Sequence, residues 1–411
     1  MFSNYSKLLA LIIGLLGTSA SAGDWTTSKT PSDFQLKEND VYPIISDLDA
    51  ALPNQKVSDI IANTNHENPK AQVPLVKSST GSYTWPSGSF DDRGTSDWYP
   101  QGVTTSSDAY GNGLYDGMQI DLISWHNNIK QDGKNVDGVK GARITFVDRR
   151  DSSKTKYRHV LLVLGEKDSD NKASFKTQKL HAGGIMWYGD LLYVVDTSAG
   201  LRVFSMKHIY QVDDSGKGIG RVGDKYQAYG YKYVMPQIRS YTHYASSGEN
   251  LRFSWISLDR TTKPDSILVG EYSKDTAECD KHCRIVRWPI DSTNRLLKTS
   301  SPGGNPNVHL ALATEAVKHN RRWIQGGASI KGKYFITQSP AGKATGTLLT
   351  WDGSKEERFV DFFPKGPEDL SYRENHGDLW ALTEPPTDQT YDRKKYPGRH
   401  VFGFDPKKVS S

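Results

Sequence analysis

A unit that repeats within the chain limits its fold more than any other feature. His181 to Met206, HAGGIMWYGDLLYVVDTSAGLRVFSM, reads as three strands. A β-rich run from Ala182 to Tyr188 turns at Gly189-Asp190, returns from Leu191 to Val195, and is followed after the Asp196 to Gly200 loop by a third strand, Leu201 to Ser205. The pattern recurs at Gln325 to Trp351, with Gly326-Gly327, Gly332-Lys333, Gln338 and Ala341-Gly342 in corresponding places. It recurs again from Glu368 to Phe404, where Gly377-Asp378 opens the second strand and Glu384 closes it. A unit this small cannot bury its apolar face alone, so copies must pack on one another, and a radial stack of such units is a β-propeller. The expected fold class is all-β, a propeller of five blades. Six or seven blades would follow if the insertions at 207–230 and 298–322 hold further strands.

Five blades account for the body of the chain. The first takes strands near 101–106, 118–125, 142–148 and 157–164; the second is the 181–206 unit with an outer strand within 226–240. The third uses 251–258, 266–270 and 284–290; the fourth adds 358–362 to its repeat, and the fifth lacks a fourth strand. Residues 23–97 are polar and rich in turn formers, with a short amphipathic helix expected at 46–51 or 57–62. They read as a leader that crosses the propeller and closes it with a strand near 82–90, or as a partly disordered stalk. The domain plan is therefore a signal peptide at 1–22, a leader at 23–97 and the propeller at 98–411.

The signal assignment rests on Lys7, an apolar core from Leu8 to Leu16 and the small residues Ala20-Ser21-Ala22. Later runs are too short and too polar for a membrane span, so the product is expected to be secreted, extracellular and without membrane contact. Losing Lys7 takes the net charge from +5 to +4. Those charges are dispersed, which argues against nucleic acid and leaves room for an anionic polysaccharide. Cys279 and Cys283, the two cysteines, read as a local disulfide; His282 lies between them, but no second cluster completes a zinc site, so no metal or other cofactor is expected.

Propeller geometry then nominates a site. First strands start, and second strands end, on one face, so residues at those points converge on the mouth of the central channel. Six residues beyond the Asp that opens the second strand stand Asp196, Glu271 and Glu384, one carboxylate in each of three blades. Blade four offers Gln338 and blade one His126, while the first strands begin with Gln101, His181, Gln325 and Glu368. Asp196, Glu271, Glu384 and His181 are the catalytic candidates; Gln101, His126, Gln325, Gln338 and Glu368 are the substrate-binding ones. Paired carboxylates suit glycoside hydrolysis, and a His beside a basic group suits β-elimination on a uronic acid. The competing reading is that acids just after a strand bond the N–H groups of their own loop.

The segments WYPQGVTTSSDA (98–109), YRHVLLVL (157–164), HAGGIMWYGDLLYVVDTSAGLRVF (181–204) and EDLSYRENHGDLWALTE (368–384) resemble a group of uncharacterised secreted proteins widespread in actinobacteria. The resemblance spans most of 98–405 and implies a secreted protein of repeated β units; it carries over no activity and no catalytic residue. The functional expectation is a monomeric, secreted carbohydrate-active protein, a glycoside hydrolase or polysaccharide lyase with one composite site on a glycan ligand. The alternative is a lectin-like binder or effector that moves no proton.

Overall fold

The computed structural model describes residues 25–70, 76, 78–88, 90–131, 134–244, 250–275, 277–340, 345–385 and 398–409. The expected signal peptide falls outside them. No helix among the described residues is long and apolar enough to cross a membrane.

The protein is all-β. Numbering strands from Trp98 onward, the first meander is β1 (Trp98–Thr105), β2 (Ile120–Gln131), β3 (Lys134–Asp148) and β4 (Lys156–Lys167). The second is β5 (Ile185–Tyr188), β6 (Leu191–Asp196), β7 (Gly200–Ser205) and β8 (Tyr233–His243). The third is β9 (Phe253–Asp259), β10 (Ser266–Glu271), β11 (Arg284–Pro289) and β12 (Glu315–His319); the fourth is β13 (Ile324–Ile330), β14 (Lys333–Gln338), β15 (Thr345–Trp351) and β16 (Glu356–Pro364). The fifth has β17 (Pro367–Arg373), β18 (Asp378–Thr383) and β19 (His400–Phe404), and its outer strand is Ser79–Thr84, antiparallel to β19. That strand begins ahead of the 82–90 stretch the sequence points to.

The chain forms these hairpins because its tight turns carry residues able to adopt positive φ. Lys331 and Gly332 both do so between β13 and β14, and Gly189 does between β5 and β6. The first strands β1, β5, β9, β13 and β17 pack in a closed ring, each beside the next. Close approach requires the paired glycines: a Cβ on Gly184 would lie 2.5 Å from the Ile256 nitrogen, and one on Gly326 2.5 Å from the Glu368 carbonyl. Outside the ring, apolar faces of adjacent sheets meet, with Trp125, Trp187, Trp255, Trp288 and Trp380 fully buried between them.

The leader runs around the perimeter. Trp25–Thr27 pairs with β12, Gln35–Asn39 with β8, His66–Glu67 with β4, and Ser79–Thr84 with β19. Both helical segments named from the sequence are helical, Ile44–Ala51 and Val57–Ala62, and pack with Leu48, Ile60 and Ile61 inward. The 207–230 insertion holds a small hairpin, Ile219–Val222 with Lys225–Ala228, and a strand, Ile209–Gln211, that joins β8. The 298–322 insertion supplies β12 and the short strand Leu310–Leu312 beside the leader.

Candidate functional site

The second strands end together on one face of the ring. Asp196 closes β6, Glu271 closes β10, and Glu384 follows β18. A backbone bond from Phe253 N–H to the Thr197 carbonyl ties the loop after Asp196 to the start of β9.

Each acid meets an arginine from its blade's third strand, and the three meetings differ. Arg202 on β7 donates through Nε and Nη2 to Asp196 at 2.8 and 2.6 Å, and Asp196 also accepts the Ser198 N–H. Arg284 on β11 grips Glu271 with Nε at 2.6 Å and Nη2 at 3.0 Å, and Glu271 accepts the backbone N–H groups of Arg252, Cys283 and Arg284. Glu271 is 1 % exposed, so its lone pairs are fully engaged in fixing the loop, including the turn closed by the Cys279–Cys283 disulfide (S–S 2.08 Å). Both acids are thus neutralised in place.

Glu384 escapes this arrangement. Arg399, just before β19, donates its Nε to the Glu384 backbone carbonyl at 2.9 Å instead of to the carboxylate. The carboxylate turns to β1, where Gln101 Nε2 donates to Oε1 at 2.8 Å. Burial raises the Glu384 pKa, opposed by the Gln101 bond and the Arg399 charge.

Glu368 stands at the start of β17, 2 % exposed, and accepts a bond from Gln325 Nε2 at 3.1 Å. Burial, then the charges of Glu384 and Asp369, push its carboxyl far above the usual carboxylate range. Two glutamates therefore face each other electrostatically inside the ring, each steadied by a glutamine amide from a neighbouring first strand. Asp369, the next residue, points the opposite way and accepts the N–H groups of Val103 and Ile185 at 3.3 and 3.2 Å, which pins three first strands together. Farther along, Asp108 bonds Thr104 and Ser371 at 2.6 and 2.7 Å, with its pKa raised by burial to about 6.

An aromatic column forms one wall. The Arg399 guanidinium lies 5.2 Å from the Tyr99 ring, Tyr99 stacks on His126 at 5.5 Å, and His126 meets His181 at 4.3 Å. Burial, then the nearby His181 and Arg399 charges, hold His126 down at about 3, so its ring is neutral at ordinary pH. His181 is exposed and, with His126, Lys179 and Asp196, borders a cavity of about 250 Å³. Gln338 lies apart on blade four, donating to the Arg322 carbonyl at 2.9 Å.

The structure thus brings Gln101, Gln325, Glu368 and Glu384 together, sets His126 and His181 beside them, and commits Asp196 and Glu271 to arginines. Sequence reasoning missed Arg399 and Tyr99. Arg202, Arg284 and Arg399 all stand at the start of a third strand, and that recurrence was visible. Among the described residues, no group of three His, Cys, Asp or Glu side chains could hold a metal ion.

No family model matches the chain, and no curated protein does. Solved structures do. A gluconolactonase from Xanthomonas campestris is 12 % identical over 83 % of this chain and 98 % of that one, with a TM-score of 0.34. A GH43_1 enzyme from Xanthomonas citri is 7 % identical over 88 % and 92 %, with a TM-score of 0.30. The β-propeller domain of the trilobed protease from Pyrococcus furiosus is 10 % identical over 70 % and 66 %, with a TM-score of 0.23. At such scores these likenesses carry no argument about the chemistry of this chain.

Proposed function

We propose that the chain is a secreted, five-bladed β-propeller that hydrolyses a glycosidic bond of a polysaccharide at the mouth of its central channel. The ring of five first strands, each heading one meander, supports five blades. One observation carries the chemistry: Glu368 and Glu384 sit in unequal surroundings, each held by a glutamine amide, and among the described residues neither carboxylate has a cation within ion-pair distance. A pair coupled in this way loses its two protons in separate steps. Glu384, with Gln101 and Arg399 favouring its charge, ionises first; Glu368, more deeply buried and facing that charge, retains the proton. Glu368 is then the general acid toward the departing sugar oxygen, and Glu384 the base or nucleophile.

The test is a panel of neutral and anionic polysaccharides assayed for new reducing ends and for unsaturated uronates. Reducing ends without unsaturation, lost in Glu384→Gln, are expected. Unsaturated products would replace hydrolysis with elimination, and wild-type protein that binds a glycan without cleaving any would make it a binder.

A further inference from the structure

A second cleft opens beside blade four, away from the glutamate pair. It encloses about 550 Å³ between the segment leading into β13, the end of β14, the start of β15 and the middle of β16. Arg322 and Arg358 both line it, and neither has a carboxylate within ion-pair distance among the described residues. The Arg358 guanidinium makes one long bond, 3.4 Å, to Gln338 Oε1, and Arg322 stacks 4.3 Å over the Trp323 ring. Neighbouring Arg321, by contrast, is paired with Glu356 at 2.7 Å.

The backbone on both sides is bent to present this surface. Trp323 has φ +60°, an uncommon conformation for a bulky residue, and it is held there by its N–H on the Ser273 carbonyl at 2.7 Å and by Ser339 N–H on its own carbonyl at 2.9 Å. Opposite, the β15–β16 register slips after Gly346, so that Val360 and Asp361 bulge out, with Val360 67 % exposed and Asp361 turned onto the Thr345 hydroxyl. Bulges of this kind re-aim side chains next to binding sites. Asp361 offsets one of the two arginine charges, and the cleft still carries an excess of positive charge. Two forked donors, an aromatic face and an apolar lip fit a pyranose that bears an anionic group.

We infer that the Arg322–Trp323–Arg358 cleft is a subsite for an acidic sugar, uronate or sulfated, of a polysaccharide chain. The inference rests on the carbohydrate reading of the channel and names the polymer as anionic, but its readout is binding and needs no turnover.

The experiment is native electrophoresis through gels containing polygalacturonate, dextran sulfate or neutral dextran. Wild-type protein should be retarded by at least one anionic polymer and not by dextran. Arg322→Gln with Arg358→Gln should weaken that retardation by roughly tenfold or more, since each removes a charged hydrogen bond. Lys207→Gln with Lys225→Gln, which changes net charge equally at exposed sites, should leave it nearly unchanged. Retardation by polygalacturonate identifies a carboxylate ligand, and by dextran sulfate alone a sulfate. No retardation in any gel, equal retardation in dextran, an unaffected arginine double variant, or equal loss in the lysine control would each overturn the assignment. Reducing-end release from the same polymers is measured separately on wild-type protein, so failure of the catalytic reading is seen apart from failure of this binding assignment.

Discussion

Replacing Glu368 by glutamine should make the protein more stable at neutral pH. The amide keeps the shape of the side chain and its Oε1, which still accepts the Gln325 amide, and it removes only the ability to ionise. In the fold that carboxyl has a pKa raised by burial and by Glu384, so the folded protein binds a proton that the unfolded chain, at its ordinary 4.5, releases. Stability contributed by such a group is greatest at low pH and falls as pH rises through the window between the unfolded and folded values. Each unit of upward shift costs about 1.4 kcal/mol above that window. For a carboxyl still protonated at pH 7 the penalty is capped at 2.5 units, about 3.4 kcal/mol, because that is the work of holding the proton on. The amide should recover on the order of 1–3 kcal/mol of this at pH 7 and close to nothing at pH 4.5. With about 2 cal/mol/K of unfolding entropy per residue over 411 residues, each kcal/mol moves Tm by only about 1 °C, so urea midpoints are the better measure. An amide variant less stable than wild type at pH 7, or one whose advantage is the same at pH 4.5, would refute the buried-acid reasoning.

Three further outcomes follow from the same geometry. Glu384→Gln should fold and melt within about 1 kcal/mol of wild type while losing roughly two to four orders of magnitude in turnover, read by reducing-end release and circular dichroism. Glu271→Gln should lose about 3–5 kcal/mol in urea, because it strands the Arg284 guanidinium at a buried site, whereas Asp196→Asn, at a partly solvated pair, should lose about 1 kcal/mol or less; equal losses would contradict the burial difference. Cys279→Ser with Cys283→Ser should cost about 2 kcal/mol, the loop-closure value for so short a loop, with no change in channel activity.

The repeat was legible because its determinants are local. Alternation over short strands, Gly at positive-φ turns and paired glycines at first-strand starts all lie within a few residues of one another, and they are what build β5–β7, β13–β15 and β17–β18. The leader's course was legible only as an end, since which sheet edge each piece joins depends on shapes hundreds of residues away. Register points to the ends of the second strands, where Asp196 and Glu271 are the last residues and Glu384 stands one beyond, yet it could not tell their surroundings apart. That difference comes from the arginine of each third strand, which reaches the carboxylate of Asp196 and of Glu271 but the backbone carbonyl of Glu384. Glu368 looked like a binding residue because a carboxylate at a strand start is ordinarily solvated; its enclosure depends on Gln325 and on Glu384 in the adjacent strand.

The blade that the leader completes is also the one whose arginine bonds its acid's backbone rather than the carboxylate. Thr84, at the end of the closing strand, donates its hydroxyl to the Arg399 carbonyl at 2.7 Å. Asp92, eight residues on, accepts Arg399 Nη1 on its backbone carbonyl at 2.8 Å. The Asp92 carboxylate is in turn locked into blade one by Arg143 at 2.6 Å, Tyr157 at 2.7 Å and His159 at 2.9 Å, and these partners hold its pKa far below the usual carboxylate range. Thr84 and Asp92 thus anchor Arg399 from both sides, with its Nε on the Glu384 carbonyl. In blades two and three the arginine closes on its acid. The leader strand that completes the sheet, and Asp92 beyond it, thus hold the nearest cation on the Glu384 backbone while the carboxylate turns to Gln101.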